Sequence, residues 1–325
     1  MALIDQHGRK INYLRLSVTD RCNLRCTYCM PAGGVELLPR GDVLSFEELL
    51  RVAEAAVATG IEKIRVTGGE PLVRKGLAPF LSRLSRLPGL RELVLTSNGI
   101  LLAEQAADLK AAGVQRLNIS LDSLRPANFA AITRGGDLAQ VWAGIDAVEA
   151  LGLPVKLNMV VMRGINDDEL LAFAALTRQR KIAVRFIEQM PTVLGAPDAA
   201  GIVSGSEILS RLAQAFDLEA LTPGERCGPA QTFRIVGAAG SLGLITPISG
   251  HFCADCNRLR VSSAGIARSC LFGNEGVDLN AALKNPEKTV LARTLLELVA
   301  RKPARHQLQR VEETPADFAM AKIGG

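Results

Sequence analysis

Six of the seven cysteines in this 325-residue chain fall into two groups of three, and this grouping limits the kinds of site the chain can form. The first group has the spacing C-x3-C-x2-C and the second has the spacing C-x2-C-x13-C; their members are Cys22, Cys26 and Cys29, then Cys253, Cys256 and Cys270. Cys227 stands apart from both groups. An odd number of cysteines argues against a disulfide framework and favours metal binding or catalysis.

The first cysteine group lies on a short loop directly after a predicted strand at 14–18. Three thiolates on so short a loop can bind three irons of a [4Fe–4S] cluster and leave the fourth iron without a protein ligand. An iron with an open position can bind and activate another molecule. Because the chain has only three histidines, its soft thiolates favour an iron–sulfur cluster over a hard-metal site. The alternative, a structural zinc site, normally requires four protein ligands.

The second cysteine group repeats this set of three thiolates and includes a short alternating strand, predicted at 258–261, between its last two members. Arg258 and Arg260 project from the same face of that strand, beside the cysteines. Two guanidinium groups on one face suit phosphate oxygens. A zinc ribbon is the alternative, and Cys227 or His251 would then supply its fourth ligand.

Short β-type segments alternate with longer amphipathic segments over the first part of the chain. The predicted strands are 14–18, 63–67, 92–96, 116–120, 155–161 and 183–187. A helix is predicted at 45–58, where Ser45 and Glu48 form the pattern of a capping box. Strands separated by helices indicate parallel βαβ units, so we predict an α/β fold with a partial TIM-type (β/α)6 barrel. A doubly wound sheet has the same periodicity and remains open. In both folds, the site lies at the carboxyl ends of the strands.

Two domains are predicted: the barrel at 1–205 and a smaller C-terminal α+β domain at 206–325 that carries the second cysteine group. The boundary falls at 191–205, a segment rich in Gly, Ala and Pro that has the composition of a linker or a mobile flap. Beyond it, the pattern predicts a helix at 206–215 and β-type segments at 232–236 and 258–261.

The composition excludes several classes of function. Hydrophobic residues make up 48% of the chain and charged residues 22%, which is typical of a globular protein. No segment approaches the roughly 18 consecutive apolar residues of a membrane span. Residues 1–10 lack the apolar stretch of a signal peptide, so we expect a cytoplasmic protein that is not membrane-bound. The net charge of +5 suits an anionic small molecule and is too low to predict nucleic-acid binding.

The first cysteine group, with Tyr28 before its last member, resembles the defining motif of the radical S-adenosylmethionine superfamily. The segment Gly68-Gly69-Glu70-Pro71 is similar to the glycine-rich segment of that superfamily, which meets the methionine amino group. The resemblance implies a [4Fe–4S] cluster whose open iron binds S-adenosylmethionine, and reductive cleavage that gives a 5′-deoxyadenosyl radical. The implied S-adenosylmethionine contacts are Tyr28, Gly68, Gly69, Glu70, Asn98, Ser120 and Met190.

The two cysteine groups, the segment Cys256-Asn-Arg-Leu-Arg260 and the terminal Gly324-Gly325 together resemble the GTP 3′,8-cyclase family over nearly the whole chain. Members of this family catalyse the first step of molybdenum cofactor biosynthesis, from GTP to (8S)-3′,8-cyclo-7,8-dihydroguanosine 5′-triphosphate. The resemblance implies that the deoxyadenosyl radical abstracts the ribose 3′ hydrogen and that the carbon radical attacks guanine C8. It also implies that a second [4Fe–4S] cluster holds the guanine ring.

The same resemblance implies which residues bind GTP and take part in its conversion. The implied GTP contacts are Arg15, Lys63, Arg65, Thr96, Lys156, Arg258, Leu259 and Arg260. The implied catalytic residues are Arg15, Arg258, Arg260, Gly324 and Gly325. In this family the C-terminal tail, here 317–325, enters the active site, so the resemblance implies a positioning role for its two final glycines.

The family resemblance further implies a homodimer, an external electron donor and hand-off of the product to cyclic pyranopterin monophosphate synthase. Two other functions remain open from the residues alone. A radical enzyme that modifies peptides would also carry an auxiliary cluster, usually with more C-terminal cysteines. A zinc-ribbon protein that binds nucleic acid would contain zinc and a stronger basic patch than a charge of +5 provides.

Overall fold

Alternating strands and helices give the first part of the chain a parallel sheet, as βαβ units require. The computed structural model describes residues 3–190, 201–222, 229–250, 252–273 and 276–306. The first six strands are β1 (Tyr13–Ser17), β2 (Lys63–Thr67), β3 (Glu92–Ser97), β4 (Arg116–Ser120), β5 (Val155–Val161) and β6 (Ala183–Glu188). Each strand pairs in parallel with the next, and their carboxyl ends therefore meet at one edge.

The predicted positions of these elements agree closely with the structure. Three predicted strands, 63–67, 116–120 and 155–161, are confirmed at both ends, and the other three differ by one residue at one or both ends. The helices between the strands are α1 (Phe46–Ala58), α2 (Leu77–Ser85), α3 (Leu102–Ala111), α4 (Pro126–Thr133), α5 (Leu138–Ala150) and α6 (Leu170–Gln179). The capping box is confirmed, because Glu48 N donates to Ser45 Oγ (3.2 Å) and Ser45 N donates to Glu48 Oε2 (2.7 Å).

From residue 201 onward the chain adds strands to both edges of this sheet. The added elements are α7 (Gly205–Ala215), β7 (Leu218–Leu221), β8 (Gln231–Ile235), β9 (Ser241–Ile245), β10 (Arg258–Val261), β11 (Ile266–Arg268), β12 (Val277–Asp278), α8 (Asn280–Lys284) and α9 (Lys288–Ala300). β9 pairs in parallel with β6, and β10 pairs in parallel with β1. The resulting order is β12-β11-β10-β1-β2-β3-β4-β5-β6-β9-β8-β7.

This strand order confirms the α/β class and a partial barrel. Within the described ranges the sheet is open, with β12 and β7 at its two ends. The predicted helix at 206–215 begins one residue earlier, at Gly205, because Ser204 Oγ accepts a hydrogen bond from Glu207 N (3.2 Å). Because C-terminal strands continue the first sheet, the division into domains at 205 and 206 stays a prediction.

Alternation of side chains separates an apolar core from a polar inner surface. Leu14 and Ile64 are fully buried in the core. The residues beside them on β1 and β2, such as Tyr13, Arg15 and Lys63, face a cavity on the other side of the sheet. None of the described helices combines the length and apolar character needed to cross a lipid bilayer.

Candidate active site

Both cysteine groups line one cavity on the inner side of the sheet. All six of these cysteines have free thiols and are partly exposed. The rest of the wall comes from β1 to β6, from β9 and β10, and from the loops at their ends. The fold therefore brings together two sets of thiols that lie at opposite ends of the sequence.

The first cysteine group forms a tight loop after β1. Cys29 N donates to Cys26 O (3.0 Å), and Leu24 N donates to Cys22 Sγ (3.5 Å). Burial raises the pKa of Cys22 and raises the pKa of Cys26 well above its usual value. Thiols in such surroundings release their protons when a metal takes the proton's place.

Gly68 and Gly69 allow the end of β2 to approach the backbone that leads into this loop. Gly69 N donates to Thr19 O (2.7 Å), and Glu70 N donates to Arg21 O (2.8 Å). A Cβ atom on Gly68 would lie 2.6 Å from Thr19 O, and one on Gly69 would lie 2.3 Å from Arg21 O. Any side chain at these positions would therefore displace the first cysteine loop.

Glu70 lies behind the cavity wall rather than on it. Its side chain is 1% exposed, and its carboxylate accepts hydrogen bonds from Asn98 N (2.6 Å), Leu72 N (3.0 Å) and Ser97 Oγ (3.0 Å). Burial raises the pKa of Glu70 to about 7, against the opposing effect of these hydrogen bonds. The contacts give Glu70 a positioning role toward the Asn98 loop, and its predicted contact with S-adenosylmethionine stays a prediction.

The other predicted S-adenosylmethionine contacts surround the first cysteine group. Asn98 Nδ2 lies 3.9 Å from Cys22 Sγ and donates to Asn23 Oδ1 (2.8 Å). Tyr28 Oη donates to Asp122 Oδ2 (2.8 Å), and burial raises the pKa of Asp122 to about 6. The predicted contacts that line the cavity are Tyr28, Gly68, Gly69, Asn98, Ser120 and Met190.

The second cysteine group is assembled from two segments. Cys253 and Cys256 lie in and directly after a short 3₁₀ turn, and Cys270 follows β11. Burial raises the pKa of Cys256, but the charges of Arg258 and Lys302 outweigh this effect and lower it to about 6. These cations therefore favour the thiolate, which is the form that binds iron.

Lys302 connects the two segments of the second group. It follows α9, is 2% exposed, and donates from Nζ to Arg258 O (3.1 Å) and to Ser269 O. Arg258 lies two residues after Cys256, and Ser269 directly precedes Cys270. One buried ammonium group thus fixes the spacing of the backbone on both sides of the site.

Arg9 connects the second group to the start of the chain. Its guanidinium donates to Cys253 O (2.8 Å), Pro303 O (2.7 Å) and Ala304 O (3.1 Å). Its Nε forms a buried ion pair with Asp5 (2.6 Å). Sequence reasoning missed both Arg9 and Lys302, since no spacing or motif links them to the cysteines.

Cationic side chains lie side by side on three neighbouring strands of the cavity wall. The parallel register aligns two rows on β10, β1 and β2, Arg260–Arg15–Arg65 and Arg258–Tyr13–Lys63. Burial, followed by the charge of Arg260, lowers the pKa of Arg15 well below its usual value. Burial, followed by the charge of Arg258, lowers the pKa of Arg260 to about 9. Crowding of this kind is relieved when a polyanion binds.

The remaining predicted GTP contacts differ in where they lie. Thr96 and Lys156 line the cavity on β3 and β5, and Thr96 Oγ1 is buried without a hydrogen-bond partner among the described residues. Lys63 pairs with Glu92 (2.9 Å). Leu259 is 1% exposed and packs in the apolar core, so only its backbone can face a ligand.

All six side chains of the two cysteine groups are thiols, the soft ligands that iron–sulfur clusters take. Within the described ranges, no three His, Cys, Asp or Glu side chains converge on one ion position. A zinc ion would draw its sulfurs close together, because each Zn–S bond is about 2.3 Å long. A [4Fe–4S] cube binds each thiolate at a different iron and so holds them farther apart.

Several features predicted from the sequence lie outside the described residues. These are Cys227, His251, the segment 191–200, the tail at 317–325 and its final residues Gly324 and Gly325. Other residues that sequence reasoning missed do line the cavity, namely Tyr13, Arg116, Asn158 and Arg185. Strand alternation could have found Tyr13, because it lies two residues before Arg15 on β1.

Two family models match successive parts of the chain. Residues 16–177 match the radical SAM superfamily, and residues 182–308 match Molybdenum Cofactor Synthesis C. Curated relatives align from end to end. A GTP 3′,8-cyclase of Geobacter sulfurreducens is 58% identical and covers 100% of both chains. A GTP 3′,8-cyclase of Moorella thermoacetica is 46% identical and covers 99% of both.

Solved structures share the fold at much lower identity. Streptococcus suis SuiB bound to S-adenosylmethionine has a TM-score of 0.58 at 12% identity over 88% of this chain. The present chain spans 65% of that protein's length. SuiB bound to its precursor peptide SuiA has a TM-score of 0.59 at 13% identity, covering 91% of this chain and 68% of that one. This likeness shows the fold alone.

Proposed function

The chain belongs to the GTP 3′,8-cyclase family of radical S-adenosylmethionine enzymes, and on that premise we propose that its cavity binds S-adenosylmethionine beside the first cysteine group and GTP beside the second. It is an iron–sulfur enzyme of molybdenum cofactor biosynthesis. The observation that carries the proposal is that both cysteine groups and the cation rows line one cavity. Reactants that share a cavity can be held close enough to react.

We assign one [4Fe–4S] cluster to each group of three cysteines. When bound, the clusters and S-adenosylmethionine supply the radical that abstracts the ribose 3′ hydrogen and the open iron that holds guanine. The ligands are Cys22, Cys26 and Cys29 for the first cluster, and Cys253, Cys256 and Cys270 for the second. Lys302 and Arg258 offset the negative charge of the second set, which is what lowers the pKa of Cys256.

Arg15, Arg258 and Arg260 hold the triphosphate in this proposal, with Arg65 beside them on β2. Arg15 Nε and Arg65 Nε are buried without hydrogen-bond partners among the described residues, as expected of donors that await phosphate oxygens. Lys63, Thr96 and Lys156 extend the same lining. Fixing the phosphates holds the ribose in place relative to S-adenosylmethionine.

Anaerobic incubation with GTP, S-adenosylmethionine and dithionite tests the proposed function. The 3′ hydrogen is lost to 5′-deoxyadenosine before the C3′–C8 bond forms. One electron and one proton are then added, so the product is an isomer of GTP. Chromatography before mass analysis is therefore needed to separate the two. GTP deuterated at C3′ should give deuterated 5′-deoxyadenosine. Cleavage of S-adenosylmethionine without any GTP isomer would contradict the proposal.

We further propose a cytoplasmic homodimer that receives electrons from an external donor and passes its product to cyclic pyranopterin monophosphate synthase. Reductive cleavage of S-adenosylmethionine consumes an electron, which is the reason for the donor. The cytoplasm keeps the cysteine thiols reduced. Light scattering of the reconstituted protein measures the oligomeric state, and a single-chain mass would contradict the dimer.

We also propose that Gly324 and Gly325 position the substrate, as the family resemblance implies. Residues without side chains can enter a narrow space between two cofactors. Deleting both glycines should suppress cyclisation while iron content and S-adenosylmethionine cleavage persist. Full cyclase activity after the deletion would remove this role.

A further inference from the structure

Tyr13 has a buried hydroxyl with no hydrogen-bond partner among the residues described. Its side chain is 3% exposed and lines the cavity on β1. A buried polar group without a partner destabilises a fold, and phenylalanine would fill the same space without that cost. The hydroxyl therefore points to an acceptor that the described chain does not supply.

The charges around Tyr13 show what kind of acceptor it meets. Lys63 Nζ lies 4.9 Å from the ring centroid and Arg65 Cζ lies 5.4 Å from it. The β1–β10 register places Arg258 beside Tyr13. An acceptor among so many cations is favoured when it carries negative charge.

Neighbouring groups extend the same set of unused donors. Arg15 Nε and Arg65 Nε are also buried without partners in the described part of the chain, and the β1–β2 register sets these two arginines side by side. Glu92 does not fill this role, because it pairs with Lys63 (2.9 Å) and Arg116 (2.6 Å). A phosphate chain has enough oxygens to accept from several of these donors at once.

We propose that the Tyr13 hydroxyl donates a hydrogen bond to a phosphate oxygen of the nucleoside triphosphate, which makes Tyr13 a further binding and positioning residue. This inference rests on the proposed function, because it requires GTP in the cavity. The proposal assigns Tyr13 to the phosphate end of the substrate and not to the guanine end, because Tyr13 lies with the arginine rows on β1, β2 and β10.

Tyr13→Phe tests the proposal, because it removes the hydroxyl and keeps the ring that Lys63 and Arg65 contact. In the anaerobically reconstituted holoprotein, we expect the Kd for GTP to rise about tenfold by calorimetry, as one hydrogen bond to a charged group predicts. The affinity for guanosine, which has no phosphates, should not change. Thr294→Val is the matched control, since its hydroxyl bonds to Val290 O within α9 and lies outside the cavity.

Thermal unfolding gives a second readout that does not depend on activity. Without GTP, Tyr13→Phe should melt at the wild-type temperature or above it, because the lost hydroxyl had no partner. When GTP is added at the same saturating concentration, the melting temperature of the wild type should rise more than that of the variant. Three results would overturn the inference: wild-type GTP affinity in the variant, an equal loss of guanosine affinity, or a lower melting temperature without GTP. If the wild type itself binds no GTP, the proposed function fails as well, and the wild-type measurement alone reveals this.

Discussion

At the residue scale, the most informative feature is the burial of cations beside one another. Arg15 and Arg260 are opposite each other in the β1–β10 register, and both have a lowered pKa because burial and neighbouring cations disfavour their charge. Such an arrangement contributes little to folding and is suited to a ligand with several negative charges. The basic residues are therefore explained by binding and not by stability.

Arg260→Ala should weaken GTP binding while iron content stays near the wild-type value, since Arg260 is not an iron ligand. A charge-assisted contact contributes about 1.5–3 kcal/mol, which corresponds to roughly a tenfold to hundredfold rise in Kd. Arg258→Ala should also weaken binding, with an added effect on Cys256, whose pKa it lowers. Equilibrium binding and an iron assay measure the two effects.

Arg234→Ala is the control for these variants, because Arg234 is an exposed residue on β8 that pairs with Glu219 (3.5 Å) and does not line the cavity. Its GTP affinity should match that of the wild type. If the affinity for GTP is unchanged in both Arg258→Ala and Arg260→Ala, these arginines do not bind the triphosphate and have a structural role.

Glu70 predicts a specific pH dependence of stability. Its pKa is raised by burial from 4.5 to about 7 in the folded protein. Between these values the folded form holds a proton that the unfolded chain has lost, so the stabilising contribution is complete below about pH 4.5 and is lost as the pH rises through about 7. Relative to the wild type, Glu70→Gln should gain up to about 3 kcal/mol in unfolding free energy from about pH 5 to pH 8.

Denaturant unfolding of the cluster-free protein measures this difference without interference from metal loss. Glu54→Gln, exposed on α1, is the control and should show no such change. Only the slope with pH is diagnostic, because Gln also loses one acceptor for the three donors around Glu70. Parallel pH curves for the wild type and Glu70→Gln would show that the carboxyl does not titrate in this range.

At the element scale, short segments of backbone are held together at both cysteine groups, but by different means. At the first group, Gly68 and Gly69 let the end of β2 bond directly to the backbone at Thr19 and Arg21. At the second, β10 pairs with β11, and the side chains of Lys302 and Arg9 add hydrogen bonds to the backbone beside the cysteines. The second site therefore depends on side chains that are distant in sequence.

Lys302→Met should selectively weaken the second site. It leaves the carbonyls of Arg258 and Ser269 without their donor and removes a buried positive charge near Cys256. An unpaired buried acceptor costs about 1–3 kcal/mol. We expect iron to fall from about eight toward about four per chain after reconstitution, as loss of one cube predicts. Arg301→Ala, at the exposed neighbouring position, should retain full iron, and equal iron in both variants would contradict the bridging role.

At the scale of the whole molecule, the sheet is extended from both edges by the C-terminal part of the chain. β10 joins β1, the strand that leads into the first cysteine loop, and β9 joins β6. The β10 pairing places Cys256 and Cys270 in the same cavity as Cys22 and Cys26. The two cluster sites are consequently parts of one active site, although each has its own ligands.

Removing either cysteine group as a whole should distinguish their roles. Replacing Cys22, Cys26 and Cys29 with alanine should leave about four irons per chain and abolish S-adenosylmethionine cleavage. Replacing Cys253, Cys256 and Cys270 should also leave about four irons but mainly remove GTP binding. Cys227→Ser is the control and should keep both clusters. Stoichiometric zinc at the second group, or loss of a cluster in Cys227→Ser, would contradict these assignments.

Features that depend on local spacing can be predicted from the sequence alone. Cysteines three or four residues apart on one loop place their thiols near one another. Alternation along a strand places Arg258 and Arg260 on the same face. Periodicity likewise placed the six barrel strands to within a residue. These properties follow from the geometry of a short stretch of backbone, so they need no knowledge of the rest of the molecule.

The contacts between residues distant in sequence depend on the fold as a whole. The pairing of β10 with β1 sets Arg260 against Arg15, and the return of the chain after α9 brings Lys302 to the second cysteine group. Burial also gives the motif residue Glu70 a positioning role, since its carboxylate holds the Asn98 loop from behind the cavity wall. Strand order, burial and the loss of water around a charge arise from packing of the whole chain, and no local pattern encodes them.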